Sequence, residues 1–165
     1  MRRAASGVVE AQFAYGRMLA SGRGVSLDLQ EARTWFTRAS DAGMPDAQVA
    51  LAEMMLNGRG GPRDPATARE LFEKAAENGH SGAMFALGAL CAGGYDWPVN
   101  RLAALEWFRA AAARGHGVAQ MMLGRYLLAG VTGDPALEEG RMWLERAAAQ
   151  GITEAEQDLL PLTAQ

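Results

Sequence analysis

His80 and His116 stand 36 residues apart, and this pair of imidazoles is the most reactive-looking constellation in the chain. Two imidazoles could hold a metal or share acid–base work. A metal centre needs further ligands, however, and no carboxylate or thiol follows at ligand spacing. The plainer reading is that each histidine caps the turn behind a helix. Cys91 could serve as a nucleophile, but a reactive thiolate needs an activating base and positive surroundings, and neither is evident. It shares a register with Leu19, Met55 and Leu127, where a small buried hydrophobe would sit. Gly22-x-Gly24 and Gly58-x-Gly60 could be read as phosphate loops, yet they lack the preceding strand and the lysine. No catalytic, cofactor-binding or metal-binding residue is assigned, and the chain reads as a non-enzyme.

The elements that must position these residues recur. Ala11, Ala47, Ala83, Ala119 and Ala155 follow one another every 36 residues. Gly7, Gly43, Gly79, Gly115 and Gly151 form a second column, and Ala39, Ala75, Ala111 and Ala147 a third. Trp35, Leu71, Trp107 and Trp143 share a further register, each followed by Phe36, Phe72, Phe108 or Leu144. A period of this length marks a stacked repeat architecture.

Each unit reads as two helices. Ala11, Tyr15, Met18 and Leu19 recur at helical spacing, and glycines stop the segment at Gly22 and Gly24. The second helix opens at Asp28 with Glu31 three residues on, the spacing of a capping box. Asp64-Pro65 and Asn100 open the next two. Asp134-Pro135 arrives two residues early, which predicts a shorter loop and a longer second helix in the fourth unit. Ala32, Ala68, Ala104 and Gly140 on second helices should meet Gly16, Ala52, Gly88 and Gly124 on first helices at close approach. Trp35, Trp107 and Trp143 should fill the gap to the neighbouring unit. Gly7 aligns with the helix-ending glycines, so residues 1–10 read as the end of a preceding partial repeat in a longer protein, a short natural leader helix being the alternative.

Composition narrows the function. A net charge of −3 lacks the strong basic field that nucleic acid demands. No apolar run reaches the roughly 18 residues that would span a membrane. One cysteine excludes an internal disulfide framework and leaves the compartment open between the cytoplasm and a bacterial periplasm.

The columns together resemble the Sel1-like repeat family. Ala11-Gln12-Phe13-Ala14-Tyr15-Gly16, Gly22-Arg23-Gly24-Val25, Asp28, Ala32, Trp35-Phe36, Ala39 and Gly43 match its unit, as do Lys74-Ala75-Ala76-Glu77-Asn78-Gly79-His80 and Gly115-His116. The resemblance implies an all-α, right-handed α/α solenoid related to tetratricopeptide repeats. Its units would be residues 11–46, 47–82, 83–118 and 119–154, with 155–165 a capping segment. It implies an adaptor or scaffold that binds another protein or peptide through a concave groove. The alternatives are a structural or regulatory repeat domain of a longer protein, or an enzyme-associated domain. Some relatives carry paired cysteines in each repeat, which this chain lacks.

In that architecture the first helices line the groove. Four ladders fall there: Glu10, Asp46, Gly82 and Val118; Phe13, Val49, Phe85 and Met121; Arg17, Glu53, Ala89 and Arg125; and Ala20, Leu56, Ala92 and Leu128. The contact residues expected from them are Phe13, Arg17, Val49, Glu53, Leu56, Phe85, Met121, Arg125 and Leu128. The aromatic ladder has a second reading, that it packs adjacent first helices together. Arg17 and Arg125 read as free of any packing task. Trp97 stands in the register of Val25 and either plugs its own loop or anchors an interface. An uncapped start would invite end-to-end self-association.

Overall fold

A computed structural model describes residues 2–131 and 133–163, with side chains for all of these except residues 2–6, 96 and 163. The described residues form α-helices and one short 3-10 turn: α1 (Arg2–Ser21), α2 (Leu29–Asp41), α3 (Pro45–Asn57), α4 (Pro65–Glu77), α5 (Ser81–Cys91), α6 (Arg101–Ala113), α7 (Gly117–Leu128), α8 (Leu137–Ala149) and α9 (Thr153–Thr163), with the turn at Gly94–Asp96. The chain divides between Ala83 and Met84 into two compact units. In the first, α2 lies against both α1 and α3, and α4 against α3. In the second, α7 lies against α6 and α8, and α9 against α8.

Second helices start on side-chain caps. Asp28 accepts from the Glu31 amide at 2.9 Å, Asp64 from the Thr67 amide at 3.1 Å, and Asn100 from the Ala103 amide at 3.0 Å. The capping box is only half made, because the Glu31 carboxylate accepts from the Trp35 indole at 3.2 Å instead. The cap residue's own amide donates back to the first helix: Asp28 to Leu19, Asp64 to Met55, Asn100 to Cys91 and Ala136 to Leu127, at 2.7–3.1 Å. That bond corrects the expectation for the fourth unit. Its second helix is no longer than the others, and Ala136, not Asp134, occupies the cap position, without a side-chain cap. The backbone bond to Leu127 holds the register, so the early Asp134-Pro135 falls in the loop.

Second helices end on Gly43, Gly79, Gly115 and Gly151, each at φ between +82° and +85°. The following residue's amide donates to the alanine five back, as from Met44 to Ala39 and from His116 to Ala111. Gly7 breaks the expectation. It lies inside the continuous α1, where a helical glycine costs about 1 kcal/mol relative to alanine, less than the hydrogen bonds a break would forfeit.

The small residues sit where the helices come closest. A Cβ on Gly88 would meet the Phe108 ring at 2.6 Å, and one on Gly124 would meet Leu144 at 2.8 Å and the Gly140 carbonyl at 2.9 Å. Ala32, Ala68 and Ala104 are fully buried. Phe72, Phe108 and Leu144 are fully buried and Phe36 nearly so, deeper than the residues one position earlier. Trp35 and Trp107 are half-buried, Leu71 and Trp143 are buried, and Trp35 packs edge-on against Tyr15 of its own helix pair. The Phe register faces the glycine column across the helix pair. At the far end, Ala155, Leu159 and Leu162 of α9 join a cluster with Met121, Leu144 and Ala147. No helix among the described residues is long and apolar enough to cross a membrane.

Candidate partner-binding surface

The two histidines are structural joints. His116 donates its amide to the end of α6, and its Nδ1 accepts from the Ala119 amide at 3.2 Å, capping α7. His80 repeats both contacts, with Ala75 behind it and Ala83 ahead at 3.1 Å. Each ring thus caps the start of the next helix, where the sequence placed it at the end of the last one. With Nδ1 accepting, the ring proton sits on Nε2. In His80 that atom lies 3.4 Å from Asp46 Oδ1. No group of three His, Cys, Asp or Glu side chains able to hold a metal occurs among the described residues. Cys91 is buried.

In the first unit the ladders mix exposed charges with half-buried apolar residues. Arg17 is exposed, with its guanidinium 5.8 Å from the Phe13 ring centre, and Phe13 itself is half-buried against Phe36 at 5.6 Å. Asp46 and Glu53 are exposed and Val49 is half-buried. Partial burial raises the Glu53 pKa above the usual carboxylate value, while the charge of Arg59 pulls it back. Leu56 corrects the expected contact set: it is buried, at 4% exposure, and has almost no surface to offer.

In the second unit the corresponding residues are committed to the fold. Phe85 is sandwiched between Phe108, at 5.9 Å, and the His116 ring stacked at 4.8 Å. Met121 is buried in the cluster under α9, a second correction to the expected contact set. Leu128 is half-buried and presses on Gly140, where a Cβ would stand 2.8 Å from its Cγ. Arg125 is not free of a packing task, because its Nε donates to Asp158 of α9 at 2.6 Å. Trp97 is half-buried in the loop after the 3-10 turn, and its amide donates to Gly94.

What remains is a set of exposed charges and half-buried apolar rims on first helices. Such a surface suits recognition of a protein segment. The sequence predicts end-to-end self-association at the uncapped start without naming residues there, and the strip of Val8, Ala11, Gln12 and Tyr15 on α1 lies at that start. Its signal lay in the columns themselves, since Ala11 and Gln12 repeat Ala47-Gln48 and Ala119-Gln120.

The model of the Sel1 repeat matches four times, over residues 9–44, 45–80, 81–116 and 117–152. The chain is similar to the crystal structure of a protective antigen of uropathogenic Escherichia coli strains displaying an SLR fold, at 30% identity over 94% of this chain and 34% of that one, with a TM-score of 0.84. It is also similar to a Sel1 repeat protein from Oxalobacter formigenes, at 28% identity over 92% of this chain and 62% of that one, with a TM-score of 0.85. The chain thus spans 34% and 62% of these two proteins' lengths. Among curated proteins, none matches it.

Proposed function

The chain belongs to the Sel1 repeat family, and from that premise we propose that it is a non-catalytic scaffold holding a partner protein or peptide against the exposed faces of its first helices. Proteins built from these repeats generally serve as protein–protein interaction scaffolds. One observation supports the finer reading. The columns that pack are kept from repeat to repeat, whereas the exposed first-helix positions carry different charges: Arg17 on α1 and Asp46 and Glu53 on α3. Arg17 and Glu53 cap no helix and fill no core, which supports recognition as their task, while Asp46 stands 3.4 Å from the His80 ring. Phe13 and Val49 add half-buried apolar edges beside them.

Charge steers encounter and sets specificity more than it supplies raw affinity. Reversing both signs should therefore abolish selective capture. The test is capture by the immobilised chain, quantified by mass spectrometry, with the double variant Arg17→Glu/Glu53→Arg as the comparison. Partners that fall about tenfold or more while the melting temperature holds support the reading. Undiminished capture by the double variant contradicts it.

A further inference from the structure

His80 is placed so that its charge state decides which neighbour it serves. As a neutral ring it caps α5, its Nδ1 accepting from the Ala83 amide at 3.1 Å. Gly82 makes room for that pose, since a Cβ there would stand 3.0 Å from the ring. The other nitrogen, Nε2, faces α3 and lies 3.4 Å from Asp46 Oδ1. Glu53 stands about two turns further along the same side of α3. A positive charge on His80 reaches it and lowers its pKa.

A protonated imidazole carries hydrogen on both nitrogens and can no longer accept. Its Nδ1 proton then faces the Ala83 amide at the positive end of α5, while its charge meets the Asp46 carboxylate. Giving up the cap does not unravel the helix start, because the Ala83 amide also donates to the His80 carbonyl at 3.1 Å. The His80 side chain is only 26% exposed, so its charge is screened less than one on an open surface. Asp46 and Glu53 on α3 are the charges it meets, with Arg59 of the following loop acting on Glu53. α4 ends with Lys74 and Glu77, both exposed, and α5 has no acidic or basic side chain.

We propose that His80 is a pH-operated gate on the acidic side of the partner face. Neutral, it caps α5 and leaves the charges of Asp46 and Glu53 to the partner; protonated, it gives up the cap and offsets them. The gate rests on the scaffold reading above, in which Glu53 meets the partner. Histidine changes charge between about pH 8 and 5, so mild acidification releases a segment held through basic side chains.

His80→Asn is the variant of choice, since Asn100 caps α6 through the same bond and takes up no proton. In nuclear magnetic resonance titrations of the full chain, Asp46→Asn should move protonation of the His80 ring to lower pH. His80→Asn should raise the Glu53 pKa further. A ring that only caps a helix predicts neither shift, and absence of either overturns the gate. Capture by the immobilised chain is then compared at about pH 8 and 5.5. Proteins lost on Arg17→Glu/Glu53→Arg should fall about threefold or more on acidification of the parent, and hold on His80→Asn. An equal fall from both overturns the gate alone. Undiminished capture by the double variant overturns the scaffold reading and the gate with it.

Discussion

α1 and α9 carry the same columns four periods apart, Ala11 with Ala155, Tyr15 with Leu159 and Gly16 with Leu160, and they sit in opposite surroundings. α9 is covered on its alanine side by α8 and open on the side of Leu160, which is 68% exposed. α1 is covered on its glycine side by α2, where Gly16 lies under Phe36, and open on the side of Ala11. Each end helix therefore has one open side, but only α1 has kept there the residues that pack in the interior. At α9 a leucine fills the position where interior helices need glycine or alanine. A helix as close as α8 is to α7 would overlap that side chain. A column thus says what a side chain must be when covered.

The sharpest way to break this comparison is to exchange the two residues. Gly124→Leu drives a large side chain into Leu144 and the Gly140 carbonyl and should cost about 3 kcal/mol or more, read from urea unfolding. The reverse change, Leu160→Gly, should cost about 1 kcal/mol or less, because it removes only helix propensity at an exposed site. Equal losses would mean that the two positions do not share a register. Next in size, Ala155→Leu should destabilise by about 1–3 kcal/mol through overpacking, whereas Ala11→Leu should stay within about 0.5 kcal/mol, since Ala11 is exposed. Thermal melts of the pair separate a covered strip from an open one.

Arg125→Ala should cost no more than about 1 kcal/mol, because its ion pair with Asp158 is solvent-exposed. The loss should shrink in high salt, and exchange of the α9 amides should speed up. The smallest effect concerns the caps, where α4 starts on Asp64 and α8 on an alanine. Hydrogen bonds from the Thr67 hydroxyl and amide hold the Asp64 pKa below its ordinary value. The folded-state pKa is depressed, so this cap's contribution is present above the ordinary carboxylate range and is lost as pH falls through the lowered value. Asp64→Ala should therefore flatten the acid limb of the melting profile, and an unchanged limb would remove the cap from the account.

The repeat was legible because its signals are local and recur. Gly43 at a positive φ, Asp28 and Asn100 at caps, and Gly88 under Phe108 each follow from one residue type meeting one backbone demand. The cap position in the fourth unit was not legible, since Asp134-Pro135 is the stronger local signal and the Ala136 amide bond to Leu127 outweighs it. Nor was Arg125's task legible, because its partner Asp158 lies 33 residues away on a helix that sequence pattern places only roughly. Leu56 and Met121 fell in ladders whose other members are half-buried. Burial within one ladder differs from repeat to repeat, because the neighbouring helices differ. The open strip of α1 escaped for the opposite reason: the column looks the same covered or bare.

Capture by the immobilised chain, compared with its Arg17→Glu/Glu53→Arg variant, tests the scaffold reading most directly. A fall of about tenfold or more at an unchanged melting temperature is the predicted result. Undiminished capture would contradict it.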